Sequence, residues 1–211
     1  MKDISTKDRI LEAALTVFSE KGYDGVGVDF IAETAGMKGP SLYKHFKSKR
    51  AIFDTIVAKV GEKMKELSEN VGLPTEENLD EVVTYYGKLS EKQLQELSKK
   101  IFLFYLEDDF MSRFWRMANM EQYQNSEISE IFRKIYMEDS IVYQSKLFEE
   151  MIKQGYFLAS SPEVIAMNFY TPIFFLLSKY NNRPGEREEA LLILKHQVSE
   201  FYRIYRKKDE T

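Results

Sequence analysis

The sequence predicts an all-α protein, on three observations. Apolar residues recur at intervals of three and four along nearly the whole chain, and no segment sustains the period-two alternation of a strand. The third is punctuation: five of the ten glycines (Gly22, Gly25, Gly27, Gly36, Gly39) fall in one short window followed at once by Pro40, so the tight turns are concentrated there.

Taken in order, the first helix starts after Thr6 as N-cap, carries Ile10, Ala14, Val17 and Phe18 on one face, and stops at Gly22. A short second helix runs from about Val28 to Ala35, with Ile31 and Ala32 inward and Gly36 as its stop. A third opens at Pro40, where proline suits the first helical position, and places Leu42 and Phe46 on its core side. Ser48 caps a fourth, whose stripe is Ile52, Ile56, Val60, Met64 and Leu67.

Val71-Gly72-Leu73-Pro74 ends that helix, and Thr75-Glu76-Glu77 supplies a cap and two acids for the next. Ser90-Glu91-Lys92-Gln93 fits a capping box. Further helices are expected over 90–107, 109–123, 126–154, 162–180 and 186–207, the last two bounded by Ser161-Pro162 and Pro184-Gly185.

Composition removes several chemistries. The chain of 211 residues has no cysteine, and its two histidines, His45 and His196, are far apart, so thiol chemistry, a clustered metal site or a His-paired catalytic unit is not expected. Neither histidine follows a glutamate by three positions, as a di-metal helical bundle would need, and no Gly-Lys-Ser/Thr phosphate loop occurs. No catalytic residue, metal or cofactor is therefore assigned. The residues after Met1 lack the apolar core of a signal peptide. The longest apolar stretch, Val164 to Leu177, contains Asn168, Thr171 and Pro172 and falls short of the roughly 18 to 20 residues of a membrane span. A cytoplasmic protein without membrane contact is expected.

Charge is uneven. Residues 1–59 hold 10 basic and 8 acidic side chains, a surplus of two positive charges on a chain whose net charge is −4. Gly36 to Arg50 contains Lys38, Lys44, Lys47, Lys49 and Arg50 with no acid, a local attractor for a polyanion. Helix, short helix, glycine turn and short helix is the helix-turn-helix order, whose last element enters the DNA major groove. At about 100° per residue from Leu42, Lys44 lies opposite the core side with Pro40 and Ser41 beside it, while Tyr43 and His45 fall on the flanks. Ser41 and Lys44 thus face base edges, and Tyr43 and His45 the phosphate walls. Lys49 and Arg50, in the first turn after Ser48, offer cations beside free backbone N–H groups.

Ile10-Leu11-Glu12-Ala13-Ala14, Phe18 to Tyr23, Ile31-Ala32, Ala35-Gly36 and Leu42-Tyr43-Lys44-His45-Phe46-Lys47-Ser48-Lys49 together resemble the TetR family of bacterial transcriptional regulators over roughly the first 60 residues. The resemblance implies a three-helix DNA-binding domain over residues 1–48. It implies also a helical-bundle ligand-binding and dimerisation domain over 49–211, with the fourth helix linking the two. It places phosphate contacts at Tyr43, His45 and Lys49, on double-stranded DNA. Lys38, Pro40, Ser41, Tyr43, Lys44, His45 and Lys49 are the candidate DNA-binding residues. The chain departs from the family where Val26-Gly27 replaces the usual hydroxyl residues before the second helix, Lys38 a common Ser, and Arg50 a common Glu.

In the rest of the chain, Leu191, Leu194, Val198, Phe201 and Tyr205 form a packing seam that is too short for an autonomous coiled coil and reads better as a bundle face. The family implies a homodimer built on the last two helices. Seven aromatics between Phe102 and Tyr123, with methionines among them and Tyr136 and Tyr143 beyond, suit either a core or a pocket for a flat or apolar effector. The ligand candidates are Phe104, Phe114, Trp115, Met117, Tyr136, Tyr143 and Phe174. Arg113 and Arg116 pair either with an acidic ligand or with Glu107, Asp108 and Asp109 nearby. The expected function is a ligand-responsive repressor that binds a palindromic operator as a homodimer. A helical ligand-binding protein without operator binding, and a helical-bundle enzyme, are the alternatives.

Overall fold

Helix α1 (Thr6–Lys21) begins one residue earlier than expected in its capping: Ser5, not Thr6, is the N-cap, and its Oγ accepts the Asp8 N–H at 3.1 Å. The computed structural model describes residues 5–72 and 79–207, and its regular elements there are all helical. Helices α2 (Val28–Thr34) and α3 (Gly39–Leu42) follow, then α4 (Lys49–Asn70), where the Ser48 Oγ accepts the Ala51 N–H at 3.1 Å. Ile52, Ile56 and Val60 of the expected stripe are buried, and Met64 and Leu67 half-buried. The cap expected at Thr75 lies outside the described residues.

Helix α5 (Leu79–Gly87) leads to α6 (Glu91–Glu107), whose capping box is complete, with Ser90 Oγ receiving Gln93 N–H and Gln93 Oε1 receiving Ser90 N–H. Helices α7 (Asp109–Glu121) and α8 (Ser126–Arg133) come next. The single helix expected over 126–154 is interrupted in its hydrogen-bond register by a π-helical turn, Lys134–Glu138, before α9 (Asp139–Lys153). Helix α10 (Pro162–Tyr180) starts on a Ser161 cap, and a 3₁₀ turn at Pro184–Glu186 precedes α11 (Arg187–Tyr205).

The chain groups into two compact units. One comprises residues up to Glu66 together with Asp109–Phe132, the other Leu67–Asp108 together with the residues from Arg133 onward. In the first, α1 packs on both α2 and α7, and Ile10, Phe18, Ile31, Leu42, Ile52, Phe53, Phe114 and Phe132 are wholly buried. Truncating one such aromatic to alanine costs about 3 to 5 kcal/mol, so this core holds the short α2 and α3 that could not persist alone. Arg113 of α7 is built into it, bonding Glu12 Oε2 at 2.6 Å and Thr16 Oγ1 at 2.9 Å on α1 and pairing with Asp109. Its ionic partners are thus protein carboxylates, one of them, Asp109, among the acids named from the sequence.

In the second unit α9, α10 and α11 pack in series, with α5 on α9 and α6 on both α10 and α11. Val82, Val83, Leu147, Phe148, Ile165, Ala166 and Phe201 form its core. The α11 seam turns into this bundle at Leu194, Val198 and Phe201, leaving Leu192, Ile193 and Ile204 on the outer face. Gly87 is packed against the Tyr156 ring so tightly that a Cβ would meet it at 2.6 Å.

Candidate nucleic-acid interface

Two left-handed glycines set the geometry of this site. Gly22 closes α1 at φ +77°, its N–H donating to Phe18 O at 3.0 Å, and Gly36 closes α2 at φ +69°. Met37 N–H then donates to Ala32 O at 2.9 Å, which turns the chain into α3. Gly39 opens α3 so close to α2 that a Cβ there would lie 2.5 Å from Asp29 Oδ1. Gly27 caps α2 with no side-chain hydrogen bond, as its lack of a hydroxyl requires.

Helix α3 is shorter than a full reading helix, because after Leu42 the backbone tightens. Lys44 N–H donates to Ser41 O and His45 N–H to Leu42 O, both three residues back, before Phe46 N–H returns to Leu42 O at 3.0 Å. A turn of this kind advances about 120° per residue, so a 100° wheel describes the element only as far as Tyr43. Leu42 and Phe46 are buried, whereas Lys38, Pro40, Ser41, Tyr43, Lys44 and His45 are all exposed. The two core side chains therefore anchor a short element whose whole outer surface meets solvent.

Lys49 differs from the other six candidates in being half-buried. Its Nζ donates to Tyr23 O at 2.9 Å and stands 4.2 Å from the centroid of the Tyr23 ring, which itself packs between Phe18 and Phe53. Next to it, the Arg50 Nε bonds Asp54 Oδ1 at 2.6 Å and its Nη1 bonds Glu127 Oε2. The hydrogen bond that Arg50 donates to Asp54 raises the guanidinium pKa, against desolvation and with the charges of Asp54 and Glu127 adding to the rise.

The α7–α8 corner completes this unit in a way the sequence does not announce. Asn125 caps α8 by accepting Ile128 N–H at 3.1 Å and donates to both carboxylate oxygens of Asp24, in the turn between α1 and α2. Glu121, buried, packs directly on Gly22 and accepts the Asp24 N–H at 3.4 Å. These partners are about a hundred positions apart, so no local pattern could reveal them.

The ligand candidates separate between the two units. Phe114, Trp115 and Met117 are core residues of the first, with Trp115 edge-on to Phe132 at 5.5 Å. Phe104, Tyr136, Tyr143 and Phe174 belong to the second. There Tyr105 bridges Phe104 and Tyr136 at 5.3 and 6.2 Å, and the Tyr170 hydroxyl donates to Tyr136 O at 2.6 Å within the π-helical turn. Tyr170 also lies 6.4 Å from Phe174. Sequence reasoning missed Tyr170, which sits in a largely apolar stretch without distinctive spacing. Among the described residues no group of three potential metal ligands occurs, and no helix is long and apolar enough to cross a membrane.

Residues 10–56 match the family model described as bacterial regulatory proteins, tetR family. The N-terminal segment is a TetR-family domain. Over 51 residues it is 51% identical to IcaR of Staphylococcus aureus strain Newman, the HTH-type negative transcriptional regulator of the biofilm operon icaADBC. That match spans 24% of this chain and 27% of IcaR, so the chain matches about a quarter of this relative's length. The fold as a whole is that of TetR-family proteins. A Mesorhizobium loti MAFF303099 protein placed in that family superposes with a TM-score of 0.68 at 18% identity, over 96% of this chain and 97% of the other. SmeT, the repressor of the Stenotrophomonas maltophilia multidrug efflux pump SmeDEF, superposes with a TM-score of 0.64 at 19% identity, over 97% and 92%. The buried Leu42 and Phe46 and the exposed residues between them thus lie in the TetR-family helix-turn-helix.

Proposed function

We propose that this chain is a homodimeric transcriptional regulator that represses by binding a palindromic operator and releases it on binding a small effector. The observation that carries the reading is the α3 element: Ser41, Tyr43, Lys44 and His45 exposed on a buried Leu42–Phe46 base, in an acid-free run from Gly36 to Arg50. Residues 1–48 read DNA in this account, and 49–211 bind effector and dimerise. Ser41 and Lys44 meet base edges, while Tyr43, His45 and Lys49 hold phosphates, and the chain acts in the cytoplasm by binding instead of catalysis.

Dimerisation is supported by the outer faces of α10 and α11, where Met167, Phe175, Leu192 and Ile204 are exposed apolar residues on neighbouring helices. Two copies joined there present two α3 elements, and an operator is read when these stand about 34 to 36 Å apart. An effector lowers operator affinity only by its differential affinity for the two arrangements. The aromatic group of Phe104, Tyr105, Tyr136, Tyr170 and Phe174 is its proposed seat, since π-helical turns recur at functional sites and supply the Tyr136 carbonyl bonded by Tyr170.

The test separates base from phosphate contacts. Ser41→Ala or Lys44→Ala is expected to cost roughly 1 to 3 kcal/mol on the operator and little on random DNA. Equal losses on both would reduce Lys44 to a phosphate contact. Gly27 favours a second reading, a helical ligand-binding protein without operator binding, because α2 lacks a capping hydroxyl at its DNA-proximal end. Absence of salt-sensitive DNA binding would favour that reading.

A further inference from the structure

Two cations stand side by side at the start of α4, and their partners differ in kind. Lys49 is held by a backbone carbonyl and a ring face, which orient its ammonium without cancelling its charge. Arg50 is held by two carboxylates, Asp54 one turn along α4 and Glu127 in the first turn of α8, which do cancel it. The Arg50 side chain is 46% exposed and that of Glu127 67%, so neither is locked by packing. Exposed ion pairs of this kind contribute little to stability and exchange readily for a stronger anion.

The position is the one where a further phosphate contact would fall. Ser48 caps α4, the N–H groups of its first turn point out of the helix end, and the tightened turn after α3 closes only two residues earlier, at the buried Phe46. The guanidinium is a bidentate phosphate ligand by geometry. We propose that Arg50 is a phosphate-binding residue held in reserve by Glu127, so that the Arg50–Glu127 pair must open for DNA to be gripped fully. This inference rests on the DNA-binding reading. It adds a gate: α8 sets the grip of the helix-turn-helix through one carboxylate. Because Asn125, two residues before Glu127, both caps α8 and holds Asp24, a displacement of α8 changes the pair and the α1–α2 turn together.

The experiment uses the full-length protein and a random-sequence duplex of about three helical turns, because phosphate contacts do not depend on sequence. Glu127→Gln is compared with Glu130→Gln, which removes the same charge from the exposed side of the same helix without touching Arg50. Each is also made in an Arg50→Gln background. Glu127→Gln is expected to raise duplex affinity about threefold or more, and to steepen the dependence of log affinity on log salt by about 0.9, the contribution of one phosphate. Glu130→Gln is expected to give a smaller rise without that change of slope. In the Arg50→Gln background the two substitutions become equivalent. Equal effects of Glu127→Gln and Glu130→Gln in the wild-type background, or an undiminished Glu127→Gln effect without Arg50, would overturn the gate while leaving DNA binding intact. If the wild-type protein shows no salt-sensitive duplex binding, the DNA-binding reading and the gate fall together. Circular dichroism and thermal melting of each variant show that the fold is retained.

Discussion

Lys49 Nζ lies 2.9 Å from the carbonyl oxygen of Tyr23 and over the ring of the same residue. One side chain therefore fastens α4 to the turn after α1 and keeps a full positive charge at the helix end. Lys49→Ala is expected to lower stability by roughly 1 to 2 kcal/mol, from a charge-assisted hydrogen bond and a cation–π contact, and to weaken binding to all DNA sequences. Chemical denaturation measures the first effect. The second appears as a salt dependence shallower by about one phosphate, a change that loss of folding alone would not produce.

Gly27 has an ordinary backbone conformation, φ −87° and ψ 159°, and a Cβ there meets nothing within 4 Å. Gly27→Ser should therefore supply the missing cap of α2 without strain, stabilising the domain by a few tenths to about 1 kcal/mol. A raised denaturation midpoint checks this, and tighter duplex binding would show that the new hydroxyl also reaches phosphate.

The two left-handed glycines are predicted to tolerate alanine unequally. Gly36→Ala faces open space and costs only the backbone penalty, about 1 to 2 kcal/mol. Gly22→Ala adds the displacement of the buried Glu121 carboxylate packed against it and should cost clearly more. Parallel urea titrations decide between this order and its reverse.

Phe175 is 61% and Leu192 54% exposed on the outer faces of α10 and α11. Phe175→Glu with Leu192→Glu should leave the bundle folded, shift sedimentation from dimer to monomer, and abolish tight operator binding. An unchanged dimer mass would move the interface elsewhere.

Burial pushes the Tyr105, Tyr136 and Tyr86 hydroxyls above their ordinary value near 10, with neighbouring tyrosines adding to each. A raised folded-state value means that stability is complete below pH 10 and declines as the pH climbs through that of the unfolded phenol, because only the unfolded chain then releases the proton. Alkaline titration followed by tyrosinate absorbance should show these groups ionising together with unfolding. Tyr105→Phe should reduce that alkaline loss of stability.

Much of the first unit was legible in the sequence because its signals are local. Gly22 and Gly36 stop helices through positive φ, Ser48 caps α4, and Leu42 with Phe46 marks the inner side of α3. Other features were not. The tightening after Leu42 and the π-helical turn at Lys134–Glu138 are changes of hydrogen-bond register that leave the apolar pattern almost intact. The clasp of Asn125 on Asp24 and of Arg113 on Glu12 joins residues about a hundred apart, so its members read as solvated polar side chains. The α11 seam gives helix periodicity but not its partner, and here Leu194, Val198 and Phe201 turn to their own bundle. Aromatic density between Phe102 and Tyr123 likewise could not separate Phe114 and Trp115, in one unit, from Phe104 and Tyr105 in the other.

The central claim is that the exposed α3 element reads DNA sequence. Purified protein should be incubated with fragmented genomic DNA of the organism that encodes it, at two salt concentrations and with excess random-sequence competitor, and the retained fragments sequenced. The account predicts a small set of fragments sharing a palindromic site, retained against competitor, with affinity falling steeply as salt rises. Retention that random DNA removes equally, or that shows no shared site, would contradict it.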